Sequence, residues 1–190
     1  MKNLLYITFV DFNDQLSNGV IKKIYSHLRT FNKSGYAVYC IAQYDNGVCM
    51  ISSDGEEHIV KNNNNENKRS FLCKVVQEYN KNNKIDFVYI RYQFSCPYFI
   101  SLIKSLKGRG VKSILEIPTF PYDSELKRQG LKGWVKLACD MYYRNSIEGH
   151  IDRVLTFSPD KKIFGIKTIN TINGIDVSEH NSKSEAPTSS

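Results

Sequence analysis

The run "NLLYITFV" at 3–10 is apolar, β-branched and aromatic, with no polar residue at alternate positions. A strand with one wet face alternates. A run that does not is covered on both faces, as in a parallel sheet packed between helices. The stretch that follows has a different period. From Gly19 onward, Val20, Ile21, Ile24, Tyr25, Leu28 and Phe31 recur at helical spacing, and Gly35 supplies a stop. With "YAVYCIA" at 36–42 as a second buried strand, the first 42 residues predict a β-α-β unit.

The pattern continues. Asn46-Gly47 and Asp54-Gly55 are turn signals that predict a short hairpin excursion, and "KNNNNENKR" (61–69) is a low-complexity loop with nothing to bury. A helix near 70–82 leads to the strand "IDFVYIR" (85–91). A helix begins at Pro97 with Phe99, Ile100, Ile103 and Leu106 as its apolar positions. The strand "VKSILEI" (111–117) precedes a loop with two prolines. Leu131, Trp134, Val135, Ala138, Met141 and Tyr142 then form one stripe on a helix ending near Asn145. "DRVLTFS" (152–158) and "KTINTI" (167–172) are the last strands, with a short helix expected between them from Ser158-Pro159. The expected fold is α/β, an open, mostly parallel sheet with helices on both faces and a small β-hairpin excursion. One domain is expected over 1–179, with a disordered polar tail over 180–190.

Composition narrows the function classes. The chain of 190 residues has a formal charge of +7, but its 26 Lys and Arg are spread along it, and no RNP-like or zinc-finger pattern appears. Nucleic acid is therefore not an expected partner; a basic surface that meets anionic lipid or phosphate fits better. Five scattered cysteines without a C-x-x-C pair read as reduced, packed thiols, and the dispersed histidines give no metal site. The apolar run at 4–10 is too short for a leader and is followed by Asp11, Asn13 and Asp14, and no segment approaches the ~20 apolar residues of a membrane span. The expected location is the cytoplasm, with peripheral membrane contact as one reading.

In sheets of this kind ligands gather at the carboxyl ends of the strands. Asn18-Gly19 opens a helix there, where free amides and the helix dipole favour phosphate; an ordinary cap is the other reading. Arg91 ends a buried run and suits either a bound anion or a structural partner. Glu116 stands among Ile, Leu and Ile, where a carboxylate needs a partner: an amide or Arg91 inside the fold, or the hydroxyls of a substrate. Tyr122, Asp123 and Glu125 in the following loop offer a ring and acceptors of the kind sugars use. The G-x-G-x-x-G and P-loop patterns are absent, and no cofactor is expected.

Together, "SNGVIKKIYSHLRTFNKSGYAVYCIA", "IDFVYIRYQF", "VKSILEIPTFPYDSE", "IDRVLTFSPDKKIFGI" and "INTINGIDVSE" resemble, in order, the amino-terminal half of family 4 glycosyltransferases, enzymes of the GT-B type similar to bacterial capsular and exopolysaccharide transferases. The resemblance runs from about residue 3 to 179. It implies a Rossmann-like, acceptor-side domain, facing a carboxyl-terminal domain that holds the nucleotide sugar through a paired-glutamate motif lying beyond this chain. Asn18 and Gly19 match the loop facing the donor's sugar and diphosphate, with one glycine where many relatives carry two. Glu116 and Pro118 match a strand-end E-x-P motif. Other relatives place a histidine there, so no histidine acid/base role carries over and no catalytic residue is assigned. Ser158 matches a strand-end serine, and Asn173, Gly174 and Asp176 match the turn between the two domains.

The implied reaction is transfer of a sugar, with retention, from a nucleotide-diphosphate donor to a glycan or lipid-linked acceptor, without an essential metal. Arg91, Glu116, Thr119 and Tyr122 would form the acceptor wall. The expected partner is a donor-binding domain or chain, without which the half is expected to be inactive. A stand-alone binding module that docks onto a separate catalytic chain is the alternative. The helix at 131–145, with Lys132, Lys136 and Arg144 beside its stripe, is read either as resting on a membrane or as packing on the sheet.

Overall fold

The computed structural model describes residues 1–171. The elements, in order, are β1 (Lys2–Asp11), α1 (Asn18–Lys33), β2 (Tyr36–Tyr44), β3 (Gly47–Ile51), β4 (Glu57–Lys61), α2 (Lys68–Asn82), β5 (Phe87–Arg91) and α3 (Pro97–Gly108). They are followed by β6 (Lys112–Ile117), α4 (Asp123–Lys127), α5 (Leu131–Tyr143), a 3-10 turn at Arg144–Ile147, β7 (Arg153–Thr156), β8 (Lys162–Ile163) and β9 (Ile166–Asn170). One sheet runs β4-β3-β2-β1-β5-β6-β7-β9-β8, parallel from β2 to β9 and antiparallel at both margins. The expected α/β architecture is thus present.

β1 shows why its sequence lacks alternation. Leu4 and Tyr6 pack with Ile24 and Leu28 of α1, while Leu5, Ile7 and Phe9 pack with Leu72 and Val76 of α2 and Phe99, Leu102 and Ile103 of α3. The chain leaves β1 toward β2 and returns to β5 on its other side, so a topological switch point, where crevices form, lies between the carboxyl ends of β1 and β5.

Local chemistry shifted several expected boundaries. The first hairpin reverses on Asp45-Asn46, with Asp45 at φ 45°, rather than on Asn46-Gly47. Gly47 is already in the strand, paired with Tyr44 and Lys61, and glycine is needed there because a Cβ would meet the Val60 carbonyl oxygen at 2.5 Å. The low-complexity loop does bury one residue: Asn62 donates to the Glu66 carbonyl at 2.8 Å and accepts from the Glu66 amide at 3.0 Å. Asn67 Oδ1 then accepts from the amides of Arg69 and Ser70, which starts α2 two residues earlier than its apolar pattern suggests.

One expectation is corrected outright, and one of two alternative readings falls away. No helix follows Ser158-Pro159. That segment leads into the β8–β9 hairpin, reversed by Phe164 (φ 51°) and Gly165 (φ 78°), with Ile163 and Ile166 buried. A primed two-residue turn between apolar residues outcompetes a short helix there. The apolar stripe of α5 does not pack on the sheet either. Leu131, Trp134, Val135, Met141 and Tyr142 are 52–82% exposed, and the helix is held by Gly133, Leu137 and Asp140. Gly133 allows backbone contact: an added Cβ would lie 1.8 Å from the Leu126 carbonyl oxygen.

Candidate functional site

The parallel strands point their carboxyl ends at two sites, one on each face of the sheet. On the α1 face, the in-register neighbours Arg91 and Glu116 end β5 and β6. Arg91 Nη1 donates to Glu116 Oε1 at 2.6 Å, with side chains 11% and 2% exposed. Both readings of Glu116 apply to one half of the carboxylate only. Its ion-pair partner is Arg91, while Oε2 is buried without a well-formed hydrogen bond among the described residues, the carboxylate lying close enough to the Tyr89 phenol to help hold it protonated. An acceptor left so costs roughly 1–3 kcal/mol and calls for an explanation.

α1 crosses in front of this pair. Ser17 gives its helix no side-chain cap; its hydroxyl donates instead to Asp14 Oδ2 at 2.8 Å. Asn18 and Gly19 are exposed in the first turn, and nothing lies within 4 Å of where a Gly19 Cβ would be, so the protein's own packing does not demand glycine there. One turn on, the Lys23 ammonium stands 4.6 Å from the centre of the Phe157 ring, just past β7. Partial burial lowers the Lys23 pKa, with Glu116 acting in the opposite sense. Behind it, Tyr6 and Tyr89 stack at 4.9 Å, and the Tyr6 hydroxyl lies 3.4 Å from His27 Nδ1. Burial, then the Glu116 charge, pushes both phenols well above their ordinary range.

His27 carries a pH prediction. Burial pulls its pKa below the ordinary value, only partly offset by Glu116, with Lys23 and Arg91 lowering it further. The folded state thus prefers the neutral ring. Its contribution is full above the unfolded pKa of about 6.5 and is lost as pH falls through that value toward the folded one. Urea unfolding between about pH 7 and 5 should show a decline that flattens in His27→Gln; an unchanged decline in the variant would refute the assignment.

The opposite face carries the second site. Thr119 is exposed and lines a groove of about 290 Å³ with Gln93, Phe94, Pro118, Glu125, Gln129 and Lys136. An adjoining groove of about 440 Å³ shares Gln93, Phe94 and Lys136 and extends past Asp11, Gln43, Lys68 and Arg69 to the switch point. Arg69 is clamped between Phe9 and Phe94 at 3.8 and 4.1 Å and donates to the Phe94 carbonyl at 2.5 Å.

Tyr122, itself buried, lines the 290 Å³ groove. Its hydroxyl donates to Asp140 Oδ2 at 2.7 Å, while Oδ1 accepts from the Tyr92 hydroxyl at 2.5 Å and the Ser95 amide at 2.6 Å. Burial raises both phenols, Asp140 reinforcing the effect, so they remain donors at any ordinary pH. Asp123 is engaged by Arg144 at 3.2 Å, while Glu125, in the same short helix α4 that replaces the expected loop, is exposed along the groove. No protein-family model and no curated protein matches this chain.

The expected site residues therefore fall into two groups: Asn18, Gly19, Arg91 and Glu116 on the α1 face, Thr119 and Tyr122 on the other. Ser158 is buried beside Asp160 at the end of β7, its amide donating to Thr156 Oγ1 at 3.1 Å. Asn173, Gly174 and Asp176 lie outside the described residues. Lys23, Arg69, Gln93 and Asp140 were not anticipated. Asp140 alone left a signal, a lone acid in the otherwise apolar "LACDMYY". Among the described residues no cluster of His, Cys, Asp and Glu could hold a metal, and the five cysteines are free. Burial raises four of the thiols, Cys49 to about 11 and Cys73 to about 12 among them, which keeps them protonated.

Proposed function

We propose that this chain is the acceptor-side half of a retaining GT-B glycosyltransferase of polysaccharide biosynthesis, one that passes a sugar from a nucleotide-diphosphate donor to a glycan or lipid-linked hydroxyl. The observation that carries the reading is the half-satisfied Glu116 carboxylate. It is buried near a strand end and fixed by Arg91 through one oxygen, and its other oxygen accepts no well-formed hydrogen bond among the described residues. Oε2 is closed to solvent as the fold stands, so a sugar hydroxyl would satisfy it, and be oriented by it, once the side chains that cover it move aside. The exposed first turn of α1, with Asn18 and Gly19, supplies amides and a dipole suited to a leaving diphosphate, and Lys23 adds a positive charge nearby. The motif order set out above supports the same reading, with a donor-binding lobe, on the same or a separate chain, closing over this edge.

Ligand-observed NMR against a panel of oligosaccharides and glycosyl phosphates tests it. A saccharide should bind weakly to this chain, and Glu116→Gln should weaken it about tenfold or more, as expected for a hydrogen bond to a charged acceptor worth ~1.5–3 kcal/mol. If no saccharide binds, or if binding ignores the substitution, the acceptor role fails.

A further inference from the structure

The exposed stripe on α5 is the largest feature that neither groove uses. It is continuous along the helix, with Leu131, Val135 and Tyr142 64–82% exposed and Trp134 and Met141 about half exposed. Scattered apolar surface residues are ordinary; five large ones on one helix face are not. Along the helix and its approach the charge has one sign, with the nearest exposed acid, Glu125, just before this stretch. From Leu126 to Cys139 the chain carries Lys127, Arg128, Lys132 and Lys136 and no acid. The acid that follows, Asp140, faces inward and is fully buried among its donors. Lys127 reaches back over the Trp134 ring, its ammonium 5.1 Å from the ring centre.

From this geometry we infer that α5 docks this protein on the surface of an anionic lipid bilayer. Trp134, Leu131, Val135 and Tyr142 enter the boundary between headgroups and acyl chains, and the flanking lysines engage lipid phosphates. An apolar face holding Trp and Leu, bordered by lysines whose stems cover apolar surface while their heads stay in water, is the pattern of an interfacial helix. A protein partner for so basic a rim would need an acidic groove. An anionic membrane presents its charge on every side of the inserted face, matching a rim with cations at both the Lys127 and the Lys132 side. Gln129 and Lys136 also line the 290 Å³ groove, so docking sets its mouth at headgroup level. The docking itself does not depend on the proposed glycosyl transfer.

Trp134 is the sole tryptophan and reports on the docking directly. The full chain is mixed with vesicles of phosphatidylcholine alone or of equimolar phosphatidylcholine and phosphatidylglycerol. Emission should shift to the blue, and the protein should co-sediment, with the anionic vesicles at least tenfold more strongly. Salt should weaken binding, and each of Lys127→Ser and Lys132→Ser should reduce it about fivefold. Val135→Ser with Tyr142→Ser should reduce it at least tenfold while leaving the thermal melt in place, since both side chains are exposed. Equal binding to both vesicle types, no binding, or binding indifferent to the serine variants overturns the inference. So does a stable dimer in sedimentation equilibrium that the same variants dissolve. Vesicle binding without any saccharide binding would leave the docking standing and remove the transferase reading, and the reverse result would do the opposite.

Discussion

Asp140→Ala is expected to lower the unfolding free energy by about 3–5 kcal/mol, the largest loss from any single substitution on the surface-facing helices. The reason is arithmetic on donors. The carboxylate is fully buried and accepts from two phenols and one amide, with Arg144 3.7 Å away. Alanine strands all of them, and each buried donor left unmade costs roughly 1–3 kcal/mol, lessened where water can enter through the groove above. The loss would be local in origin but global in reach. Asp140 ties α5 to the loops after β5 and β6, while most of the helix's other residues face solvent. Asp140→Asn keeps an acceptor for Oδ1's two donors and should lose about 1–2 kcal/mol. Urea unfolding followed by Trp134 fluorescence measures both, and an alanine variant within 1 kcal/mol of the parent would show that the cluster does not hold α5.

That cluster marks the limit of what the residues announce by themselves. The strands were legible because burial on both faces removes alternation, as Leu4 to Phe9 show. Helix ends were legible where one residue dictates the backbone, as with Gly35 at φ 85°, and were missed where a side-chain cap sets them, as with Asn67 ahead of α2. Periodicity places apolar residues on one face of a helix but does not say which way the face points. On α5 it pointed outward, because a buried, fully satisfied aspartate and a glycine in contact with backbone hold the helix more firmly than its leucine and tryptophan would. The β8–β9 hairpin was missed for a similar reason. Phe164 is an unusual residue for positive φ, and the buried Ile163–Ile166 pair that favours the turn is a tertiary fact.

The candidate site was legible at its anchor points and not in its division. Arg91 and Glu116 stood out as polar residues ending apolar strands, and the parallel register sets them side by side. Reading Thr119 and Tyr122 onto the same wall ignored the pleat, which sends Glu116 and Ile117 to opposite faces, and the loop follows Ile117 to the α2–α3 side. The uncharted half of the crevice, around Arg69 and Gln93, is assembled from segments far apart in sequence, α2 and the loop after β5.

Arg91→Leu should be nearly as damaging as the loss of Asp140, about 3–5 kcal/mol, because it leaves a 2%-exposed carboxylate without its ion-pair partner, with only the more distant Lys23 to offset it. The double variant Arg91→Leu with Glu116→Leu should recover most of that loss, since well-packed apolar residues replace a buried ion pair at little net cost. A double-mutant cycle by urea denaturation therefore expects strong coupling, on the order of 2–3 kcal/mol. Independent losses would mean that the 2.6 Å contact contributes no more than a surface pair. The cycle also separates structure from use. A carboxylate kept only to neutralise Arg91 could be dispensed with in the double variant at no cost to ligand binding. One kept for its second oxygen could not: the double variant would be folded and stable, and both it and Glu116→Gln, which leaves Arg91 in place, would lose the saccharide. A pair that folding tolerates losing and binding does not is the behaviour expected of a site whose unmatched oxygen awaits a hydroxyl.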